Sequence, residues 1–405
     1  MRVVVLGAGP AGVTVVETLR HLGSDAEIVM VTEEPYPPYS PAAMAAYFLT
    51  GRPFHFWRGE DFPQRMGVDY RPGARVVGVE PEAHRVRLAD GETLPYDKLV
   101  IATGGRLYAP VEGSDKPGVY NFKSLSTAER LMARARRGEA RSALIVGAGF
   151  IGIEIALLLA DLGLEVTLLV RSRVMRAMLD PEVSGIVERL LEGRGIRLIR
   201  GADADAVAFV GEPEVRAVAT RSGAEMTADL FIAATGLRPN VEFLADAGLA
   251  CDFGLLVDER QRTSDPDIYA CGDVAETVDR LTGERYVHAI LPNAVYQGRV
   301  VAANLLGLNV TYEGADSMNS LKHLGLPVIV AGHTRGEEIR WEGRNVLRKI
   351  WLWDGRIGGF CLVGDIRAAG VYRTLMVRKV DVSPFRDRLP EPEFGEGVLV
   401  GLAQG

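Results

Sequence analysis

Cysteine is nearly absent from this sequence. Among 405 residues only Cys251, Cys271 and Cys361 carry thiols, and no two of them stand in CxxC or CxxxxC spacing. A disulfide framework and a thiolate zinc site are therefore excluded as organising features, and no metal site is expected. Cys271 reads as a small buried apolar residue. Cys361, on a predicted strand, has no basic or second cysteine neighbour, so neither is assigned a redox role. Surplus positive charge is also lacking: 46 Lys and Arg stand against 53 Asp and Glu, a net charge of −7. That balance argues against a nucleic-acid-binding face, and no nucleic acid partner is expected. The one local concentration, Arg130, Arg134, Arg136, Arg137 and Arg141, reads as a solvated helix face. No apolar run approaches the ~20 residues of a bilayer span. A glycine motif opening at Gly7 leaves no space for a signal peptide before it. The expectation is a cytoplasmic chain with no membrane contact.

What the sequence does contain is one unit written twice. An apolar run, Val3-Val4-Val5-Leu6, leads into Gly7-Ala8-Gly9-Pro10-Ala11-Gly12, then a helical pattern, then a second apolar run from Ile28 to Val31. In such a strand–turn–helix–strand, the first glycine permits the tight turn and the second lets backbone approach a pyrophosphate. The third lets the helix pack closely on the strand. The helix start offers unpaired N–H groups and a positive dipole end to phosphate. Glu33, 21 residues after Gly12, stands where a carboxylate accepts ribose hydroxyls, with Glu34 in reserve. The pattern recurs 140 residues later as Gly147-Ala148-Gly149-Phe150-Ile151-Gly152, with a helix from Ile153 and a strand from Val166 to Val170. A second repeat runs in register with it: buried strands breaking at Ala102-Thr103-Gly104 and at Ala234-Thr235-Gly236, as expected where a strand edge meets a dinucleotide.

Two further stretches complete the pattern, "TSDPDIYACGD" at 263–273 and "LPNAVYQGRVVAANLLG" at 291–307. Together these residues resemble the FAD-dependent pyridine nucleotide–disulphide oxidoreductases, over nearly the whole chain. The resemblance implies an α/β fold of two Rossmann-like, three-layer dinucleotide-binding domains and a C-terminal α+β interface domain. The FAD domain is expected at 1–113 and 246–307, with the NAD(P) domain inserted at 114–245. The interface domain, which in the family covers the flavin from the partner of a homodimer, is expected at 308–405. The resemblance further implies that Asp273 holds the flavin ribityl chain and that Gly272 permits close approach. It sets a helix start at Pro292, Asn293 and Ala294 against the flavin pyrimidine, where the dipole favours anionic reduced flavin.

The second nucleotide strand closes on Leu168-Leu169-Val170-Arg171-Ser172-Arg173. A site for NAD(H) usually ends this strand on a carboxylate for the ribose diol. Here that position is Val170, and Arg171, Arg173 and Arg176 follow. Guanidinium groups bind a 2′-phosphate that a carboxylate repels, so NADP(H) is favoured over NAD(H).

The stretch "PPYSPAAMAAYFLTG" narrows the resemblance to the branch holding NADH oxidases, coenzyme A-disulphide reductases and rubredoxin or ferredoxin reductases. In the oxidases and disulphide reductases a cysteine follows the matching tyrosine by three residues. That position is Ala42, so no thiolate is available for a mixed disulphide or a sulphenate cycle. In the ferredoxin reductases a lysine, here Ala46, pairs with the glutamate that matches Glu154. Glu154 is kept as a candidate catalytic carboxylate near the nicotinamide. Small residues at 42, 43, 45 and 46 either open one flavin face or pack tightly. The implied activity is hydride transfer from NAD(P)H to FAD, then direct passage to an acceptor such as a ferredoxin- or rubredoxin-like carrier or a partner subunit. Two alternatives stand beside it: an oxidase producing hydrogen peroxide, and a nucleotide-responsive redox sensor.

Local signals are clear elsewhere. Ser126-Thr127-Ala128-Glu129 reads as a capping box, with Gly138 as the helix stop. "NVLRKIWLWDGRIGGFCLVGD" reads as a hairpin turning at Asp354-Gly355, and "AAGVYRTLMVRK" as a helix. The resemblance sets Met318, Asn319 and His323 near the flavin, although a lone histidine is more often structural. Trp341, Trp351 and Trp353 read as core, with an interface or landing surface as the alternative.

Overall fold

The computed structural model describes residues 1–321 and 323–395, so residues 396–405 of the expected C-terminal domain lie outside the described residues. The chain divides into two compact units. Among the described residues the first comprises residues 1–110, 119–140 and 236–315, and the second comprises 111–118, 141–235 and the described part of 316–395.

The first unit is built on a five-stranded parallel sheet. Its order is Ile268–Ala270, Lys98–Ile101, Arg2–Leu6, Glu27–Thr32, Val68–Pro72. The central strands are apolar throughout except at their ends, at Arg2, Glu27, Thr32 and Lys98, because both faces are covered, as parallel sheets require. Alternation then sorts them. Val3, Val5, Ile28, Met30 and Val100 face a layer of helices that includes Val13, Val16, Leu19 and Val301. Val4, Leu6, Val29, Leu99 and Ile101 face Val79, Val86, Leu88 and Leu94 of a three-stranded antiparallel sheet. Helices Pro10–His21 and Leu291–Leu305 lie in the helical layer. At Gly298 a Cβ would stand 2.7 Å from the Ala11 carbonyl, so the two helices approach as closely as glycine allows.

The second unit repeats the plan. Arg197–Arg200, Glu165–Val170, Ser142–Val146 and Leu230–Ala233 run parallel in that order, with helices Phe150–Asp161 and Pro181–Gly193 and a second three-stranded antiparallel sheet. Residues 316–395 add a five-stranded antiparallel sheet, ordered Asn319–Leu321, Val328–Gly332, Arg356–Val363, Val346–Trp353, Glu337–Gly343, and the helix Ala369–Val377. The expected hairpin is there. Trp353 pairs with Arg356, and Asp354 and Gly355 take φ of 51° and 70°, the paired left-handed geometry of a two-residue turn.

One local expectation is corrected. The helix expected to open on a Ser126 capping box instead runs Leu125–Arg136, capped by Ser124, whose hydroxyl accepts from the Thr127 N–H. Ser126 lies inside the first turn and donates from its N–H and hydroxyl to Glu34, while the Leu125 N–H donates to the Tyr39 hydroxyl. A carboxylate from a distant strand end replaces the local glutamate. Arg136 and Arg137 of this helix bond to the Phe48 carbonyl and to Glu139, as a partnered helix face does.

Candidate functional site

The three glycines of the first motif do different things. Gly7 has φ +112° and sits so close to the next strand that a Cβ would lie 2.1 Å from the Ala102 carbonyl. A Cβ on Gly12 would lie 2.1 Å from the Gly7 carbonyl, whereas one on Gly9 would meet nothing within 4 Å. Gly9 is the N-cap of Pro10–His21 with extended dihedrals, so the first-turn N–H groups of Ala11 and Gly12 point into that free space. Ala102, Thr103 and Gly104 line the strand edge beside it. The Ala102 N–H donates to Leu6, and Thr103 is held by Asn240, whose side chain donates to the Thr103 carbonyl at 2.9 Å. Asn240 was not marked by the sequence, because only the fold brings it within reach of the motif.

At the end of Glu27–Thr32 the two acidic candidates separate. Glu34 accepts from Ser124, from the Ser126 N–H and hydroxyl, and from Tyr39. Burial, and the Glu34 charge beside it, push the Tyr39 phenol well above its usual range. Glu33 is exposed and makes no hydrogen bond or ion pair among the described residues. Its carboxylate is the one available to a ribose.

Gly272 has φ +78° and packs on the first helix, where a Cβ would lie 2.9 Å from that of Ala11. Its N–H is taken by Gln297 at 2.7 Å. Asp273 beside it forms an ion pair with Lys123, and both side chains are largely buried. Lys123, which immediately precedes the Ser124 cap, is a further residue the sequence did not reveal. Of the residues opening Leu291–Leu305, Asn293 and Ala294 are buried and Pro292 is exposed. The Asn293 amide donates to the His288 carbonyl at 3.2 Å.

The second unit repeats the geometry of the first motif. A Cβ on Gly147 would lie 2.4 Å from the Ala234 carbonyl and one on Gly152 would lie 2.2 Å from the Gly147 carbonyl. One on Gly149 would meet nothing within 4 Å. Phe150 and Ile151 open the helix, and Glu154 stands half-buried just beyond its first turn. Gly236 falls elsewhere: it begins the strand Gly236–Pro239, which pairs with Gly105–Tyr108 in the first unit. The arginines also part company. Arg171 and Arg176 are exposed, and their side chains make no hydrogen bond or ion pair among the described residues. The Arg173 guanidinium donates to the carbonyls of Arg176 and Leu179 at 2.9 and 3.0 Å, so it braces the loop. His323 is exposed, and its carbonyl accepts from Arg194.

Residues 1–298 match the family described as pyridine nucleotide-disulphide oxidoreductase. The chain belongs to that family. Putidaredoxin reductase of Pseudomonas putida is 34% identical over 75% of this chain and 74% of its own length. The assimilatory nitrate reductase electron transfer subunit of Bacillus subtilis is 28% identical over 97% of this chain, which spans only 51% of that relative. Among solved structures, an engineered water-forming NADPH oxidase bound to NADPH superposes with a TM-score of 0.86 at 25% identity, covering 100% of this chain and 98% of that one. Its substitutions include three consecutive changes, aspartate to alanine, alanine to arginine and methionine to serine. The protein is thus an FAD-dependent pyridine nucleotide oxidoreductase. The glycine cradles fit that chemistry, since both leave room for a pyrophosphate at the one glycine where a Cβ meets no protein atom.

The three thiols lie outside the segment 39–50. Cys271 and Cys361 are buried, and burial pushes each thiol up to about 12. Cys251 is exposed, and partial burial together with the Glu276 charge raises it as well. In the stretch 39–50, helix Met44–Thr50 buries Met44 and Phe48, while Ala42 is exposed and Ala43, Ala45 and Ala46 are half-buried. The alanines are not the packing face.

Among the described residues, no helix is long and apolar enough to cross a membrane.

Proposed function

We propose that this oxidoreductase takes hydride from NADPH in preference to NADH and delivers the electrons to a small redox protein or partner subunit, without a cysteine centre. The observation that carries it is the placement of the thiols. No cysteine stands in the segment 39–50, and burial holds two of the three thiols protonated at neutral pH. Bound FAD supplies the chemistry that joins a two-electron hydride donor to a one-electron carrier.

The chain's own residues bind, orient and exclude. In the first unit the Gly7–Gly12 turn and helix start hold the FAD pyrophosphate, Glu33 holds its ribose, and Asp273 with Lys123 holds the ribityl side. The opening of Leu291–Leu305 at Pro292, Asn293 and Ala294 takes the flavin pyrimidine. In the second unit the Gly147–Gly152 turn takes the nucleotide pyrophosphate, and Glu154 orients the nicotinamide. Arg171 and Arg176 bind the 2′-phosphate. Val170-Arg171-Ser172 has the residue order, apolar then arginine then serine, that the engineered NADPH oxidase acquired by substitution. Residues 308–405 serve as the interface of a homodimer. The acceptor class is supported by two relatives, one named as a reductase of putidaredoxin and the other as the electron transfer subunit of a nitrate reductase.

The test is anaerobic reduction of the purified protein with a slight excess of NADPH, NADH in parallel, followed by air. Flavin bleached by NADPH that stays reduced for minutes in air supports a protein acceptor. Rapid return of colour with stoichiometric hydrogen peroxide makes it an oxidase, and no bleaching with either nucleotide removes the enzymatic reading.

A further inference from the structure

Lysine is rare in the interior of a sheet, yet Lys349 of Val346–Trp353 is only 4% exposed. Its ammonium donates to Asp180 at 2.7 Å and lies 2.8 Å from Glu182 and 3.3 Å from Glu338. Burial alone would lower its pKa. The bonds to Asp180 and Glu182 and the charges of Asp180 and Glu338 outweigh that and hold it above the usual lysine range. Replacing such a pair with apolar side chains is often neutral for stability, so burial of the pair is not in itself a reason to assign the lysine to stability.

The geometry it specifies belongs to the segment 171–180. Asp180 is the N-cap of Pro181–Gly193, its carboxylate accepting from the Val183 N–H at 3.0 Å. Two residues of that helix grip the middle of the segment: the Ser184 hydroxyl donates to the Val174 carbonyl at 2.7 Å, and Glu188 accepts from the Val174 N–H. The next N–H, of Met175, donates to the carbonyl of Ala148 at 2.8 Å, inside the second glycine motif itself. Arg173 ties the far half together through the Arg176 and Leu179 carbonyls. These anchors hold the segment at both ends and in the middle, and the exposed side chains of Arg171 and Arg176 make no hydrogen bond or ion pair among the described residues.

We infer that Lys349 is a positioning residue for nucleotide specificity: through Asp180 it fixes the segment that carries Arg171 and Arg176 relative to the Gly147–Gly152 turn. The C-terminal sheet thereby tunes which nicotinamide nucleotide binds. This rests on the reading that Arg171 and Arg176 take the 2′-phosphate. Without the ammonium, Asp180 and Glu338 lose this cation, and Glu182 keeps only Arg340, whose guanidinium donates to it at 3.1 and 3.2 Å. Repulsion among these carboxylates loosens the helix cap and the segment it anchors.

The experiment uses the FAD-loaded protein with ferricyanide as acceptor, and compares kcat and KM for NADPH and NADH in the wild type, Lys349→Met, Lys349→Arg and Arg171→Ala. For Lys349→Met the KM for NADPH rises about ten-fold, mid-range for indirect coupling of this kind, with kcat at saturation within about twofold. The KM for NADH moves much less, FAD content stays at the wild-type level, and Lys349→Arg restores most of the NADPH preference. Arg171→Ala tests the underlying reading by collapsing the NADPH-to-NADH ratio of kcat/KM. If that ratio collapses for Arg171→Ala and is unchanged for Lys349→Met, the inference about Lys349 is overturned and the 2′-phosphate reading stands. Equal losses with both nucleotides in Lys349→Met assign the lysine a purely structural role and also overturn it. A ratio insensitive to Arg171→Ala, or a wild type that prefers NADH, overturns the reading and the inference together.

Discussion

Gly9→Ala and Gly12→Ala change the same atom count within one turn, and the structure predicts opposite consequences. Gly9 has φ −79° and ψ −175°, which alanine adopts freely, and its new Cβ meets no protein atom within 4 Å. The apoprotein should therefore melt at the wild-type temperature or slightly above, because a compatible glycine-to-alanine change stabilises by about 0.4–1 kcal/mol. The methyl instead occupies the space left for the pyrophosphate. Intrusion into a packed contact costs about 1–3 kcal/mol, which weakens FAD binding by about five- to 150-fold. At Gly12 the Cβ would stand 2.1 Å from the Gly7 carbonyl where ordinary contact begins at 3.4 Å, so helix and turn must separate by the difference, 1.3 Å. That variant loses apoprotein stability first, and FAD with it. Fluorescence quenching of FAD titrated into apoprotein, with thermal melts of each apoprotein, separates the two effects. Wild-type FAD affinity in Gly9→Ala, or a wild-type melt in Gly12→Ala, refutes the assignment of roles to the two glycines.

The other expectations follow from the same contacts. Gly149→Ala should weaken NADPH binding by a similar factor while FAD content stays at the wild-type level; loss of FAD instead would show that the two cradles are misassigned. Glu34→Ala removes the acceptor of Ser124, Ser126 and Tyr39, so stability should fall by about 0.5–2 kcal/mol, as for a lost helix cap, and a thermal melt should show a lower midpoint. Glu33→Gln should leave the apoprotein melt alone and weaken FAD binding, as an FAD titration beside the melts will show. The raised thiols predict an alkaline limit. A group whose folded pKa lies above its unfolded value stabilises fully below the unfolded value, and that stability is lost as pH rises through the folded one. For Cys271 the window runs from about 9 to about 12. Denaturant unfolding across that range should show a shallower decline in Cys271→Ala than in the wild type.

The fold was legible because its determinants are local and repeated. Each Val3–Leu6 or Ala143–Val146 run is apolar at every position, each ends on glycines spaced by the needs of a turn, and the duplication fixes the register of the whole. The hairpin at Asp354-Gly355 was equally local. What stayed hidden depends on contacts between residues far apart in sequence. Lys123 meets Asp273 across 150 positions, Asn240 reaches Thr103 across 137, and Lys349 finds Asp180 across 169. The misplaced cap has the same origin: Ser126 and Glu129 carry a capping-box spelling, but a carboxylate from residue 34 outcompetes the local one. Arg171 and Arg173 look equivalent as letters, and only the carbonyls of Arg176 and Leu179 separate a bracing arginine from an available one.

The most direct test of electron transfer without a cysteine centre is the number of reducing equivalents the protein accepts. An anaerobic titration with NADPH, followed by absorbance, should bleach the flavin completely at about one NADPH per FAD, as the proposal of a flavin acting as sole two-electron store requires. Consumption of about two NADPH per FAD, with a long-wavelength thiolate-to-flavin band at the midpoint, would contradict it and place a redox-active cysteine beside the flavin.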